Sequence, residues 1–348
     1  MKILHVVDAW GGGVVMTLIQ YVTATPANEH HVAIRSAINE HVDDGELQIF
    51  ASVTYLAKNL GTARKQLQLS VRMGNFGVVH AHSSLAGAIV RTAILHRDGQ
   101  RIVYTPHCFA FDRRDVFFGT RAVYWLIEFI LSLNTGRIGA CSIRERRSAS
   151  FMLARRSAVF VPNVAAVQYD ERRSLLVNPK TAGTSVAMVG RVSAQKDPNF
   201  FMATVRVIRR THPDTAAMWI GGGDPKTVAR MRSDEIEVTG WLAHTDAQAK
   251  FTDCGIYIHT AAWEGFPMAV IEANAADLPI VTRTIAAFEG INPIWAGSTP
   301  DQMASMVINI LGSAAARAKN RNFWASNLSA NNTETQREQL RKLYSLEP

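Results

Sequence analysis

Short apolar runs recur along this chain at intervals that leave room for a helix between each pair. Lys2 to Val7 is the first, followed by Val32 to Ile34, Val53 to Leu56, Val78 to His80, Ile102 to Thr105 and Ile138 to Cys141. The pattern then restarts with Val186 to Val189 and continues through Trp219, Ile236 to Thr239 and Gly255 to His259. Alternation of this kind predicts parallel sheets with helices on both faces. A length of 348 residues exceeds one ordinary core and fits two domains. We place the first at 1–165 and the second at 166–330, with Tyr169 to Gly183 as linker and domain start. A charged terminal helix, Thr333 to Tyr344, lies in a last segment at 331–348.

Lys2 and the short apolar run before Asp8 read as a strand and not as a signal peptide. No segment reaches the roughly 20 apolar residues of a membrane span. Ala122 to Leu133 is apolar almost all round, with Glu128 its only charge. Such a helix is more often buried in protein than laid in lipid, although the arginines that flank it keep the second reading open.

Ligands on parallel sheets gather beyond the carboxyl ends of the strands. After the first strand come Asp8-Ala-Trp-Gly11-Gly12-Gly13 and then an apolar helix from Val14 to Val22. Glycines there permit close backbone approach to a ligand, or merely a tight turn that packs the helix. The run is not G-x-G-x-x-G, so a dinucleotide fingerprint is poorly supported. His80 and His82 alternate at a strand end; without a third ligand they read as satisfied structural histidines before they read as a metal site. His107 follows a strand and Pro106, which keeps Thr105 extended, so the ring should project into the ligand side.

The second half repeats this arrangement with more chemistry in it. Gly190-Arg191-Val-Ser-Ala-Gln-Lys196 follows a strand, and its planar guanidinium and compact ammonium, five residues apart, suit a diphosphate. Gly221 to Gly223 makes another strand-to-glycine loop, and Gly240-Trp241 a strand end. From Gly255 to Ile285 a buried strand leads through a loop to a helix predicted to start at Pro267, the position where a missing N–H costs least. Helix N-termini favour phosphate. Glu264 precedes this one and Glu272 lies just inside it among Ala269, Val270, Ile271, Ala273, Ala275 and Ala276. An ionised carboxylate only accepts hydrogen bonds, so its natural partners on a nucleotide sugar are hydroxyls. The plainer alternative is a loop charge and a solvated helix residue.

Composition adds limits. With 47% hydrophobic and 19% charged residues the chain is globular. Cys108, Cys141 and Cys254 are far apart in apolar segments, which suggests buried thiols in a reducing cytoplasm and no metal spacing. Nearly all of the formal +8 charge comes from Arg91 to Arg156, where twelve arginines face five acidic residues. That patch suits an anionic membrane surface or a phosphorylated acceptor as well as nucleic acid. No zinc-finger spacing, aromatic RNA-binding motif or basic helical repeat supports nucleic acid.

Glu264-Gly-Phe-Pro-Met-Ala-Val-Ile-Glu272, with two glutamates separated by seven residues, resembles the C-terminal motif of retaining GT-B glycosyltransferases, the large group that includes lipopolysaccharide and capsule transferases. Thr105-Pro106-His107, Val161-Pro162-Asn163 and the Gly190 to Lys196 loop match that group too. Two departures stand out: Val164 to Ala166 replace a glycine and an aspartate, and Ala286 to Gly290 lack the group's paired glycines. The resemblance implies an α/β GT-B fold, two Rossmann-like domains facing across a cleft, with the C-terminal helix packing back on the N-terminal domain. It implies a donor site of Gly190, Arg191, Lys196, Gly222, Trp241, Glu264, Gly265, Phe266, Pro267, Met268 and Glu272. Arg191 and Lys196 would stabilise the leaving diphosphate, Glu264 hold donor-sugar hydroxyls, Glu272 hold the ribose, and His107 orient the sugar. Gly11, Gly12, Gly13 and His82 would face the acceptor, a glycan or lipid-linked sugar at the inner membrane face. No metal or other cofactor is implied. A sugar-nucleotide 2-epimerase on the same fold, and a binding module without catalysis, are the alternatives.

Overall fold

A computed structural model describes residues 1–37, 44–96, 100–155, 157–165, 185–291 and 293–345. The linker expected at Tyr169 to Gly183 lies outside the described residues. Contacts divide the chain into one unit of Met1–Ala166 with Asn331–Pro348 and another of Val167–Ala330. Both are Rossmann-like α/β domains of the GT-B kind.

The first unit runs β1 (Lys2–Trp10), α1 (Gly13–Ala24), β2 (Glu29–Ala37), α2 (Asp44–Leu47), β3 (Ser52–Tyr55), α3 (Leu60–Gly74), β4 (Val78–His82), α4 (Ser84–Ala93) and β5 (Arg101–Thr105). It continues with α5 (Phe118–Ser132), β6 (Arg137–Ala140), α6 (Ile143–Ser150) and β7 (Val159–Phe160). All pairings are parallel, in the order β3-β2-β1-β4-β5-β6-β7. Strands β4 and β5 are buried at every position, as expected where helices cover both faces. The order reverses between β1 and β4, and that is where such sheets take ligands.

Strand β1 is three residues longer than its apolar run. Asp8 does not end it, because Arg35 on the neighbouring β2 donates Nε to the Asp8 carboxylate and the ladder continues to Trp10 opposite Ala37. The loop to α1 is therefore only Gly11 and Gly12. Helix α5 overturns the expectation of burial. Phe117 just before it (81% exposed) and Phe118, Val123, Trp125, Leu126, Ile127 and Ile130 along it are exposed, while its buried residues are Glu128 and Ser132. Its inner face is held by charge: Arg91 Nη2 donates to Glu128 at 2.8 Å and the Tyr104 hydroxyl donates to the other carboxylate oxygen at 2.9 Å.

The second unit comprises β8 (Ser185–Val189), α7 (Pro198–Arg209), β9 (Ala216–Ile220), α8 (Pro225–Ser233), β10 (Ile236–Val238), α9 (His244–Thr252), β11 (Ile256–His259), α10 (Met268–Ala275), β12 (Ile280–Arg283), β13 (Ala296–Gly297), α11 (Pro300–Gly312) and α12 (Ala314–Asn327). Its parallel order is β10-β9-β8-β11-β12-β13, with the reversal between β8 and β11. Trp219, Tyr257, Phe201 and Trp324 fill the core on its two faces. The chain then returns to the first unit. Helix α13 (Thr333–Tyr344) buries Leu340, Leu343 and Tyr344 beside Tyr21, Val103 and Val161, and Gln336 Nε2 donates to the Pro162 carbonyl at 2.9 Å.

Candidate active site

The loops after β8 and β11, at the reversal point of the second sheet, are stitched together by their own polar groups. The Ala262 N–H donates to the Gln195 carbonyl at 2.8 Å, the Thr260 hydroxyl to the Lys196 carbonyl at 2.9 Å, and Gln195 Nε2 to the Trp263 carbonyl at 3.1 Å. Across this seam Lys196 Nζ donates to Glu264, both side chains being four-fifths or more buried. Gly190 makes room for it: φ is 143° there, and a Cβ would come within 2.8 Å of the lysine stem. Asp197, in the left-handed region at φ 50°, accepts from Phe200 N–H to cap α7 and from Arg283 Nη1 at 2.7 Å.

Two expected partners thus meet each other. Lys196 is expected on phosphate and Glu264 on sugar hydroxyls; in the structure the two form an ion pair within a largely buried seam. Arg191 stands exposed on the same loop. Burial, and then the charges of Glu264 and Glu272, push the Tyr257 phenol well up. Helix α10 begins at Met268, and Pro267 is its N-cap residue with ψ 119°, so the expectation of Pro267 at the first helical position is corrected by one residue. Gly265 and Pro267 are buried, whereas Phe266, Met268 and Glu272 are partly exposed. Gly222 and Trp241 are also brought together: a Cβ on Gly222 would lie 2.9 Å from the indole Nε1, and the indole is half exposed.

In the first unit Gly12 caps α1 with φ 66°, a conformation open to glycine and costly for most residues. Gly11 precedes it and Gly13 starts the helix. His107 and Cys108 follow β5 with positive φ of 53° and 117°. Non-glycine residues hold such angles only when the surroundings enforce them. Glu145 does so here, accepting the Cys108 N–H at 2.6 Å and the Cys141 N–H at 2.8 Å. Burial raises this carboxyl to about 7. His107 itself is partly exposed, and burial lowers its ring to about 4, so it is neutral at ordinary pH.

His82, expected on the acceptor side, is fully buried, with Nε2 3.0 Å from His5 Nδ1 and Nδ1 3.0 Å from His107 Nε2. A ring nitrogen from each of His5, His80 and His82 lies within 4.8 Å of the others, close enough to share an ion. All six nitrogens of the three rings already have hydrogen-bond partners, for His80 the Tyr344 hydroxyl and the Thr105 hydroxyl. Gln195, Glu145, His5 and His30 are participants that the sequence reading missed. Gln195 sat inside the quoted loop; the others carried no local signal. Beside α6 a hollow of about 630 Å³ is lined by Arg146, Arg147 and Arg155.

Two parallel Rossmann-like sheets, with cations and glutamates at the reversal point of the second, make up a GT-B fold. The family model described as glycosyl transferases group 1 matches residues 183–313 of the chain. An uncharacterised 41.2 kDa protein of the Klebsiella pneumoniae cps region is 21% identical over 319 residues, covering 89% of this chain and 86% of its own. The Escherichia coli UDP-Gal:alpha-D-GlcNAc-diphosphoundecaprenol alpha-1,3-galactosyltransferase is 22% identical over 275 residues, covering 71% and 69%. Among solved structures, Anabaena HepE with UDP-glucose superimposes with TM-score 0.77 at 15% identity, covering 98% of each chain. Sucrose-phosphate synthase of Thermosynechococcus elongatus does so at 0.74 and 14%, covering 99% of this chain and 98% of its own.

Proposed function

We propose that this protein transfers a hexose from a nucleoside-diphosphate sugar to a glycan or lipid-linked acceptor with retention of configuration, in assembly of a bacterial surface polysaccharide. The observation that carries the reading is the Lys196–Glu264 pair across the β8 and β11 loops, with Arg191 exposed on the first of them. A bound diphosphate would take Lys196 from Glu264 and free the carboxylate for sugar hydroxyls, so one exchange of partners would set both groups on the donor. As the glycosidic bond breaks, charge grows on the leaving diphosphate, and Arg191 and Lys196 would stabilise it electrostatically, without a metal ion. Glu272 is assigned to the ribose and His107 to the sugar. Attack from the face the diphosphate leaves, aided by one of its own oxygens, accounts for retention with no protein nucleophile.

The acceptor side favours a lipid-linked substrate. The diphosphoundecaprenol acceptor in the name of the E. coli relative is an anionic headgroup on a long hydrocarbon. No helix among the described residues is long and apolar enough to cross a membrane. The exposed apolar face of α5 and the exposed Arg113 and Arg114 instead suit a peripheral seat on the inner face of the cytoplasmic membrane.

The test is transfer of labelled sugar from UDP-galactose and UDP-glucose into a lipid extract. Label in the lipid phase that disappears with Lys196→Ala is the expected result. A labelled nucleotide sugar recovered as its isomer would make the protein a 2-epimerase, and tight donor binding with neither outcome would make it a binding module.

A further inference from the structure

We propose that His30, His5 and His82 form a hydrogen-bonded relay that fixes the tautomer of His107, leaving His107 Nδ1 as a hydrogen-bond acceptor for a ligand hydroxyl. The relay begins at a group that has no proton to give. His30 Nε2 lies 3.0 Å from the Thr25 carbonyl oxygen and 3.2 Å from the Thr25 hydroxyl oxygen, whose own proton goes to the Tyr21 carbonyl at 2.7 Å. Both atoms therefore accept, and His30 Nε2 carries the hydrogen. Burial lowers the pKa of all four rings, so each is neutral and has one proton to place.

The remaining assignments follow ring by ring. His30 Nδ1 is an acceptor, and His5 Nε2, 2.9 Å away, must donate to it. His5 Nδ1 is then an acceptor for His82 Nε2 at 3.0 Å, and His82 Nδ1 an acceptor for His107 Nε2 at 3.0 Å. His107 emerges with its proton on Nε2, turned inward, and a lone pair on Nδ1, which has no hydrogen-bond partner among the described residues. Reversing the chain would set the lone pair of His30 Nε2 against the Thr25 carbonyl. His80, 4.0 Å from His82 between ring centroids, stands outside the relay because Tyr344 and Thr105 occupy its nitrogens.

An acceptor at Nδ1 selects among ligand groups. It takes a hydrogen bond from a hydroxyl and repels a phosphate oxygen, which on the sugar-transfer reading directs His107 to the donor sugar and away from the diphosphate. His30, His5 and His82 are positioning residues in this account, acting only through His107.

Long-range proton–nitrogen correlation spectra of the full chain labelled with ¹⁵N-histidine at pH 7.5 read the tautomer directly, with His107→Gln supplying the assignment. Wild type is expected to show a neutral His107 protonated at Nε2. His30→Asn places an oxygen where Nδ1 stood and should keep that state, whereas His30→Leu removes the acceptor and should give a mixture of tautomers. His107 protonated at Nδ1, or at both nitrogens, overturns the proposal, as does a folded His30→Leu protein with His107 unchanged. Should His30→Leu fail to fold, wild type and His30→Asn still decide it. Adding UDP-glucose is expected to shift His107 Nδ1 and adding UDP to leave it in place; a shift with UDP alone rejects the acceptor role. Lack of any UDP-glucose binding counts against sugar transfer only, because the tautomer is read in the unliganded protein.

Discussion

Acid should loosen the first unit well before it reaches the ordinary range of its carboxylates. His5, His80 and His82 are fully buried and their pKa values are lowered, chiefly by that burial. Below pH 6.5 the unfolded chain protonates these rings and the folded chain does not, so the unfolded state binds more protons and stability falls as pH falls. Between pH 7.5 and 5 each ring held neutral removes about 2 kcal/mol, about 6 kcal/mol for the three. Glu145 works against this. Its folded pKa of about 7 lies above the unfolded value, so the folded state gains a proton first and acidification returns about 2 kcal/mol over the same window. His30 and His107 add to the loss and Asp112, raised by burial, subtracts from it. The three fully buried rings set against Glu145 alone leave a loss of about 4 kcal/mol, a large share of the 5–15 kcal/mol that holds a typical domain. Hydrogen exchange measured peptide by peptide isolates the unit concerned. After correction for intrinsic rates, amides of β1 and β4 should exchange roughly a thousandfold faster at pH 5 than at 7.5, the factor that 4 kcal/mol corresponds to. Protection that stays level across that range would refute the assignment of neutral buried histidines.

Lys196→Ala should lower kcat by roughly 10²–10³, as losing one transition-state hydrogen-bond donor does, and leave binding of the free nucleoside nearly intact; unchanged turnover would remove Lys196 from the mechanism. His107→Ala is expected to keep nucleotide affinity in calorimetry and lose most transfer, and equal transfer by the variant would rule out its assignment to the sugar. Glu128→Leu strands the buried Arg91 guanidinium and should cost about 3–5 kcal/mol in urea unfolding, most of it recovered by Arg91→Leu in the same chain; a single variant as stable as wild type would mean that water reaches the pair. Flotation with anionic liposomes at low salt should capture the wild type, and Arg113→Glu with Arg114→Glu should weaken capture by about 1 kcal/mol or more per reversed charge; equal partitioning onto neutral vesicles would point away from headgroup charge.

Strand positions and ligand side were legible in the chain because each is written locally, as an apolar run, a glycine or proline and a helix start. Gly190, Lys196, Glu264 and Pro267 could be placed near the right strand ends for that reason. What stayed hidden depends on neighbours far along the chain. Lys196 and Glu264 are 68 residues apart, and nothing in either loop announces that the two charges meet each other before they meet a ligand. His5 and His82 are 77 apart and join only because β1 and β4 are neighbours in the sheet. Helix α5 misled for a different reason: with apolar residues on nearly every side, its pattern cannot say which face turns inward, and the Arg91 side chain across from Glu128 decided it. The end of β1 was misjudged because Asp8 looked like a loop residue until Arg35 supplied its partner.

The return of α13 to the first unit has a bearing on how the protein is made. Leu340, Leu343 and Tyr344 close part of that unit's core, and the Tyr344 hydroxyl meets His80. Translation delivers all of Val167–Ala330 before these side chains exist. During that interval the nascent first unit waits with Tyr21, Val103 and Val161 uncovered, the kind of transiently open apolar surface that chaperones recognise and that aggregates at high expression. The buried core of the second unit runs from Val186 to Leu328, so all of it has been synthesised by the end of α12.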